Sequence, residues 1–299
     1  MLEGVMMKNK ERYAVAVRKP DQTIRVITKT YNGIGSGTVL PKIPIIRGVL
    51  GFIDSLVLGM STLFLSASLL EEDSDESQIS GAEIKQKDKV LFGLTGIVSF
   101  CIAVLIFVLL PYYLSQGIKQ IGGGDTLAAV LEGIIRIALF ILYIALISRM
   151  KDIKRTFMYH GAEHKCISCI ESGLDLTVEN VRKSSKEHKR CGTSFLMFVV
   201  IVSVILFMFI RTDSPVLRVV LRLILVPLIA GISYEILRLA GSSDSRLIHV
   251  LSKPGLWLQR LTTSEPDDAM IEVGIRSVTA VFDWKQYVEQ IRQEAINDI

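Results

Sequence analysis

The sequence predicts an α-helical integral membrane protein with about four transmembrane helices, a small N-terminal β-hairpin and cytosolic helices. Three observations carry this prediction. Long apolar stretches alternate with stretches that hold nearly all the charge, the arrangement a bilayer imposes. Lys and Arg outnumber Asp and Glu nine to three in residues 1–47 and ten to six in 149–194, which marks both regions for one side of the membrane. The first forty residues contain no apolar run of the kind a cleavable signal peptide requires.

Composition alone would not decide the class. Half of the 299 residues are hydrophobic and the mean hydropathy is +0.44, and a soluble chain is also about half apolar. The net charge of +4 is small for this length. No basic helix is interleaved with aromatic residues, so membrane lipids rather than nucleic acid are the expected partners.

Residues 12–18 (RYAVAVR) and 23–29 (TIRVITK) alternate apolar and polar around the turn-like KPDQ, which predicts the hairpin. YNGIGSG (31–37) is a connector, and Pro41 and Pro44 precede a new helix. Residues 1–47 thus form a cytosolic β-hairpin region. Within 45–70, Arg47, Asp54, Ser61 and Ser68 recur every seven residues and make one polar or small stripe. Asp54 near the middle favours a packed or interfacial helix over a span. Residues 71–89 hold seven acids against three bases and form a linker, which completes a region 48–89.

Four spans are expected at 90–114, 127–148, 195–210 and 215–239, the last two joined by the polar turn RTDSP. They define a membrane domain, 90–239, whose loop 149–194 is cytosolic. With four spans both basic regions face the cytosol, whereas a fifth at 45–70 would separate them. Both termini of this multi-pass cell-membrane protein are then cytosolic. Glu132, Arg136, Arg218 and Arg222 fall within the spans at similar depth. They make either a structural Glu132–Arg222 pair or a site for an anionic lipid or phosphate. The tail 240–299 is cytosolic and helical. Residues 246–261 suit an interfacial segment, and Ser264, Pro266, Asp267 and Asp268 make a helix start ahead of two short amphipathic helices.

The chemistry concentrates between His160 and Cys191. Three of the four histidines, His160, His164 and His188, lie within 29 residues. His160-Gly161-Ala162-Glu163-His164 is an H-x-x-E-H motif. On a helix, residues four apart share a face, so both imidazoles can address one ion. Glu163 lies on nearly the same face and can act as general base, in the reversed zincin order of inverzincins. Gly161 weakens such a helix slightly. Catalytic zinc commonly takes three protein ligands and keeps one position open. Glu235, near the cytosolic end of the fourth span, and His188 or Cys191, just before the third, are the candidates to complete the set.

A competing arrangement uses the cysteines. Cys166-x-x-Cys169 is separated by eighteen residues from His188-x-x-Cys191, a spacing that resembles a closed structural zinc site. Four such ligands would leave no open position and imply scaffolding. Cys101 sits in an apolar run as a small core residue.

The strings EGVMM (3–7), YHGAEHK (159–165), LTVENVR (176–182), HKRCGTSF (188–195) and LTTSEPDDAMIEVGI (261–275) together resemble the bacterial YqhQ family, a family of unknown function described as metal-dependent by prediction. The likeness spans nearly the whole chain. It implies a membrane protein with a metal site at His160, Glu163 and His164, joined by His188 and Cys191, and it leaves Cys166 and Cys169 outside the pattern. Family members carry more sequence before EGVMM. The expected function is a metal-dependent hydrolase at the cytosolic membrane surface, using a divalent transition metal, zinc by preference. Glu163 would be catalytic. His160 and His164 would be ligands, with Glu235, His188 or Cys191 completing the set. The alternative is a non-enzymatic scaffold or transport accessory with a structural metal.

Overall fold

The computed structural model describes residues 1–70, 86–120, 124–188, 191–210, 212, 214–241 and 246–297. Most of the expected acidic linker, and Arg211 and Asp213 of the expected RTDSP turn, lie outside the described residues.

The chain opens with three antiparallel strands, β1 (Gly4–Asn9), β2 (Arg12–Arg18) and β3 (Ile24–Thr30), in the order β1-β2-β3. The expected hairpin is the β2–β3 pair, in register from Arg12 against Thr30 to Arg18 against Ile24. The extra strand, β1, lacks the usual signals. Its apolar residues include two methionines, and Lys10, not glycine or asparagine, takes the positive φ of 53° at the β1–β2 turn. The central strand β2 is buried on both faces. Ala14 and Ala16 face one hydrophobic cluster, while Tyr13, Val15 and Val17 face another.

The helices follow in order. They are α1 (Ile46–Leu70), α2 (Gln86–Val104), a π-helical turn (Leu105–Leu109) and α3 (Leu110–Gln120). Next come α4 (Asp125–Ile147), α5 (Lys151–Glu171), α6 (Val178–Lys183) and α7 (Gly192–Met208). The last four are α8 (Pro215–Ala240), α9 (Arg246–Thr262), α10 (Asp268–Val281) and α11 (Trp284–Asn297).

Four helices are long and apolar enough to cross a membrane: Ile46–Leu70, Leu94–Gly117, Asp125–Ile147 and Val216–Ala240. The number matches the expectation and the membership differs by one. The 195–210 segment forms α7, whose 17 residues reach about 25 Å at 1.5 Å per residue, against a hydrocarbon thickness of about 30 Å. Conversely, α1 qualifies by length and composition. Its neighbours are mixed, however. Its first turns cross α8 so closely that a Cβ on Gly48 would stand 2.9 Å from the Gly231 Cα. Its second half lays Leu58, Leu65 and Leu69 on Tyr13, Val15 and Val17 of the sheet. The polar stripe of α1 is satisfied by protein groups. Asp54 accepts hydrogen bonds from the Tyr31 hydroxyl at 2.9 Å and the Ile34 amide at 2.8 Å, and Arg47 pairs with Glu235.

Helices α5, α6, α10 and α11 pack with the sheet into one layer. Its core joins Val5, Met7, Ala14 and Ala16 to Ala162, Cys166, Cys169, Met270, Ile271 and Val273. The small alanines let α10 approach, and the Ser277 hydroxyl lies 3.2 Å from the carbonyls of both Val5 and Ala14. The cap of α10 lies three residues beyond the expected Ser264 cap, with only Asp268 of the two acids inside its first turn. Asp267 is the N-cap and accepts from the Met270 amide at 2.8 Å. This layer sits at one end of the helical bundle, because α4 runs directly into α5, while α7 starts from the same end. Helix α9 closes that end. Its Leu258 packs with Phe140 and Ile144 of α4 and Met197 of α7.

Candidate metal centre

The site is assembled where the layer meets the bundle. Helix α5 places His160 and His164 one turn apart, with ring centroids 4.3 Å from each other. Cys191 is the N-cap of α7, and its Sγ accepts from the Thr193 amide at 3.4 Å. One ligand atom from each of these three residues can be chosen so that all lie within 4.8 Å of one another. His160 Nε2 is already 3.2 Å from Cys191 Sγ.

The second nitrogen of each ring is occupied. His160 Nδ1 donates to the Thr262 carbonyl at 2.9 Å, and His164 Nδ1 donates to the Lys186 carbonyl at 2.7 Å. A carbonyl only accepts, so both Nδ1 atoms carry hydrogen, and in the neutral rings the lone pair is left on Nε2. Metal-ligating histidines almost always have their other nitrogen tied this way.

Three contacts hold those carbonyls in place. At Gly161 the chain of α5 passes directly under Ser264, and a Cβ there would stand 2.1 Å from the Ser264 carbonyl oxygen. The Ser264 amide donates to the Phe157 carbonyl at 2.9 Å, which fixes the crossing and hence Thr262. The buried Lys165 ammonium donates to the carbonyls of Arg182 and Ser184, both at 2.9 Å, and pairs with Glu265 at 3.1 Å. It thereby clamps the strand of chain that leads to Lys186. Gln259 finishes the enclosure by accepting from the His188 amide at 2.9 Å and donating to the His188 carbonyl and the Ser194 hydroxyl.

The charges follow from this geometry. Burial alone would raise the Cys191 thiol, but hydrogen bonds from His160 and His164 and their charges outweigh it and bring the pKa to about 5. Burial would likewise lower His160, but the Cys191 bond, the Cys191 and Glu163 charges and the Thr262 carbonyl raise it to about 9. The pair is therefore thiolate and imidazolium near neutrality, and the start of α7 adds its own preference for an anion. Glu163 is part-buried and forms no hydrogen bond among the described residues. Burial pushes its pKa up, against the pull of both imidazoles.

The other sequence candidates lie elsewhere. Glu235 does not join the cluster; it accepts from the Arg47 guanidinium, with Nε at 2.6 Å, and from the Ile45 amide at 3.3 Å. His188 stands at the rim, its ring 5.9 Å from that of His164 and its Nε2 3.0 Å from Glu171. Cys166 and Cys169 are buried in the apolar core of the layer, and burial pushes both thiols up. Among the described residues, the four ligands of the closed-site reading are not brought together. Lys165 and Thr262 lie in the family-like strings 159–165 and 261–275, but nothing in their residue types reveals their roles; Lys186 and Gln259 lie outside those strings, and Thr262 and Lys186 act through backbone carbonyls that every residue possesses.

Two nitrogens and one sulfur suit zinc, with three protein ligands and one open position. From zinc's bond lengths, neighbouring ligand atoms would be roughly 3.3–3.6 Å apart. The His160–Cys191 separation of 3.2 Å falls just below this range, and the other pairs of ligand atoms lie within 4.8 Å.

Fold and cluster together define a multi-pass helical membrane protein with a His/His/Cys cluster at one end of its bundle. The chain belongs to the family described as "Protein of unknown function (DUF1385)", whose model matches residues 43–284 and so includes all three cluster residues and Glu163. It is 34% identical over 304 residues to the Bacillus subtilis (strain 168) protein described as "Uncharacterized protein YqhQ", covering 100% of this chain and 96% of the relative. No solved structure matches significantly.

Proposed function

We propose that this protein is a metal-dependent hydrolase working at the cytosolic membrane surface. His160, His164 and Cys191 would hold a divalent transition metal, zinc by donor chemistry. The observation that carries this reading is the convergence of three ligand atoms within 4.8 Å, with the far nitrogen of each imidazole tied to a backbone carbonyl. A bound ion would supply Lewis acidity toward a water or a carbonyl group. Glu163 would take the proton that this chemistry releases. Among the described residues it has no hydrogen-bonded partner, which leaves it open to do so, and its raised pKa lets it hold the proton. Cys191 begins the apolar helix α7, so the substrate would react at the bilayer boundary. In this reading α7 crosses the membrane with α2–α3, α4 and α8. Helix α1 lies along the surface, as its docking on the sheet supports.

The test is Glu163→Gln, which keeps shape and removes basicity. The variant is expected to retain metal and fold while failing to complement a strain that lacks the protein. Loss of metal would make Glu163 a ligand and end the general-base assignment. Retention of metal, fold and complementation together would assign a scaffold role.

A further inference from the structure

We propose that the end of the bundle remote from the His/His/Cys cluster binds the phosphate group of an anionic ligand, in a cavity walled by Arg218 and Arg222. The cavity measures about 270 Å³ and is bounded by the start of α4, the end of α7 and the start of α8. It is near the lower end of ligand-pocket sizes, about 300 Å³, which suits a headgroup and not a whole lipid.

Among the described residues the charges around it do not balance. Glu132 is buried and accepts from Arg136 at 2.7 Å and from Arg222 at 2.8 Å, so one carboxylate serves two guanidiniums. Arg136 is further fixed by the Phe107 carbonyl at 2.9 Å, in the π-helical turn. Arg218 adds a third guanidinium, which donates to the Thr212 carbonyl. Asp125 lines the cavity too. With Asp125 counted against one cation, three guanidiniums face two carboxylates among the described residues. Arg222 is only 3% exposed. Its buried Nε, like that of Arg218, has no hydrogen-bond partner among the described residues. The guanidiniums are held in place by rings: Arg218 lies over Tyr112 at 4.8 Å and Arg222 over Phe207 at 5.0 Å.

A phosphate answers each feature. It accepts from guanidinium forks, it neutralises the surplus charge, and the first turn of the 23-residue α4, with Thr126 at the cavity wall, presents helix N-terminal amides to an anion. The source is a phospholipid headgroup or free phosphate, and the experiment separates them.

The full chain is purified in neutral detergent and titrated with phosphatidylglycerol, diacylglycerol and inorganic phosphate, with binding read by native mass spectrometry. Saturable retention of phosphatidylglycerol without diacylglycerol identifies a headgroup. Saturable binding of inorganic phosphate alone identifies the free anion. Either is expected to fall at least tenfold in Arg218→Ala, a change that leaves the Glu132 pairs intact. Arg222→Lys preserves a cation beside Glu132 while removing the fork, and is expected to weaken binding in the same direction. The proposal is overturned if neither phosphate compound binds the wild type, if diacylglycerol binds equally well, or if both variants bind like the wild type.

Discussion

Gly161 lies directly beneath the carbonyl of Ser264, whose oxygen would stand only 2.1 Å from a Cβ at that position. The glycine inside the H-x-x-E-H sequence is therefore required by the crossing chain, not by the helix that contains it. Gly161→Ala must push residues 262–264 away from α5 and pull the Thr262 carbonyl off His160. Overpacking of this kind costs about 1–3 kcal/mol. We expect a lower melting temperature and a lower metal content in the same variant. A variant with wild-type values of both would show that the crossing is not what positions the ring.

The two kinds of cysteine should separate cleanly. Cys191→Ser removes a proposed ligand, and zinc content measured after dialysis against a weak chelator should fall sharply. Cys166→Ser puts a hydroxyl into an apolar core against Gly274 and should leave metal content unchanged while costing about 1–3 kcal/mol in denaturant unfolding. The reverse pattern would transfer the site to Cys166 and its neighbours.

Metal affinity should depend on pH in a defined direction. A metal ion and a proton compete for His160 Nε2, and the proton is held with a pKa of about 9. Cys191, at about 5, is already a thiolate at neutral pH and releases no proton there. Between these values binding at His160 displaces one proton. Apparent affinity should thus rise about tenfold per pH unit and level off above about 9. Below about 5 the slope should steepen as the thiol also takes up a proton. Competition with a metal indicator from pH 6 to 10 measures this. A flat profile up to pH 9 would remove His160 from the ligand set.

Membrane sidedness can be read with reporter fusions at positions 80, 120 and 170. If α1 lies along the surface, fusions at 80 and 170 should both report the cytosol and the one at 120 the outside. Opposite signals at 80 and 170 would make α1 a true span.

The helix face shared by His160, Glu163 and His164 was legible because helical spacing fixes it locally. Cys191 was legible only as one of three candidates. Choosing among them needed Arg47, 188 residues from Glu235, since that cation occupies the Glu235 carboxylate. Long-range pairing of this kind leaves no trace in the spacing of either residue. Strand β1 was missed because its turn uses Lys10 in a conformation that glycine or asparagine normally advertises. In α1, composition and packing point different ways. Length and apolarity describe a span, while Asp54, held by Tyr31 and Ile34, marks a helix whose polar stripe has protein neighbours.

The bond from His160 to Thr262 joins residues 102 positions apart. During synthesis the two histidines of α5 leave the ribosome first, Cys191 follows, and the carbonyl that orients His160 arrives only after α7, α8 and α9 have been made. The centre therefore cannot reach its final geometry on a nascent chain that stops short of α9. Any ion the centre takes up would then be captured late, once the bundle is assembled, and a truncated product would be left with paired imidazoles but no fixed tautomer at His160.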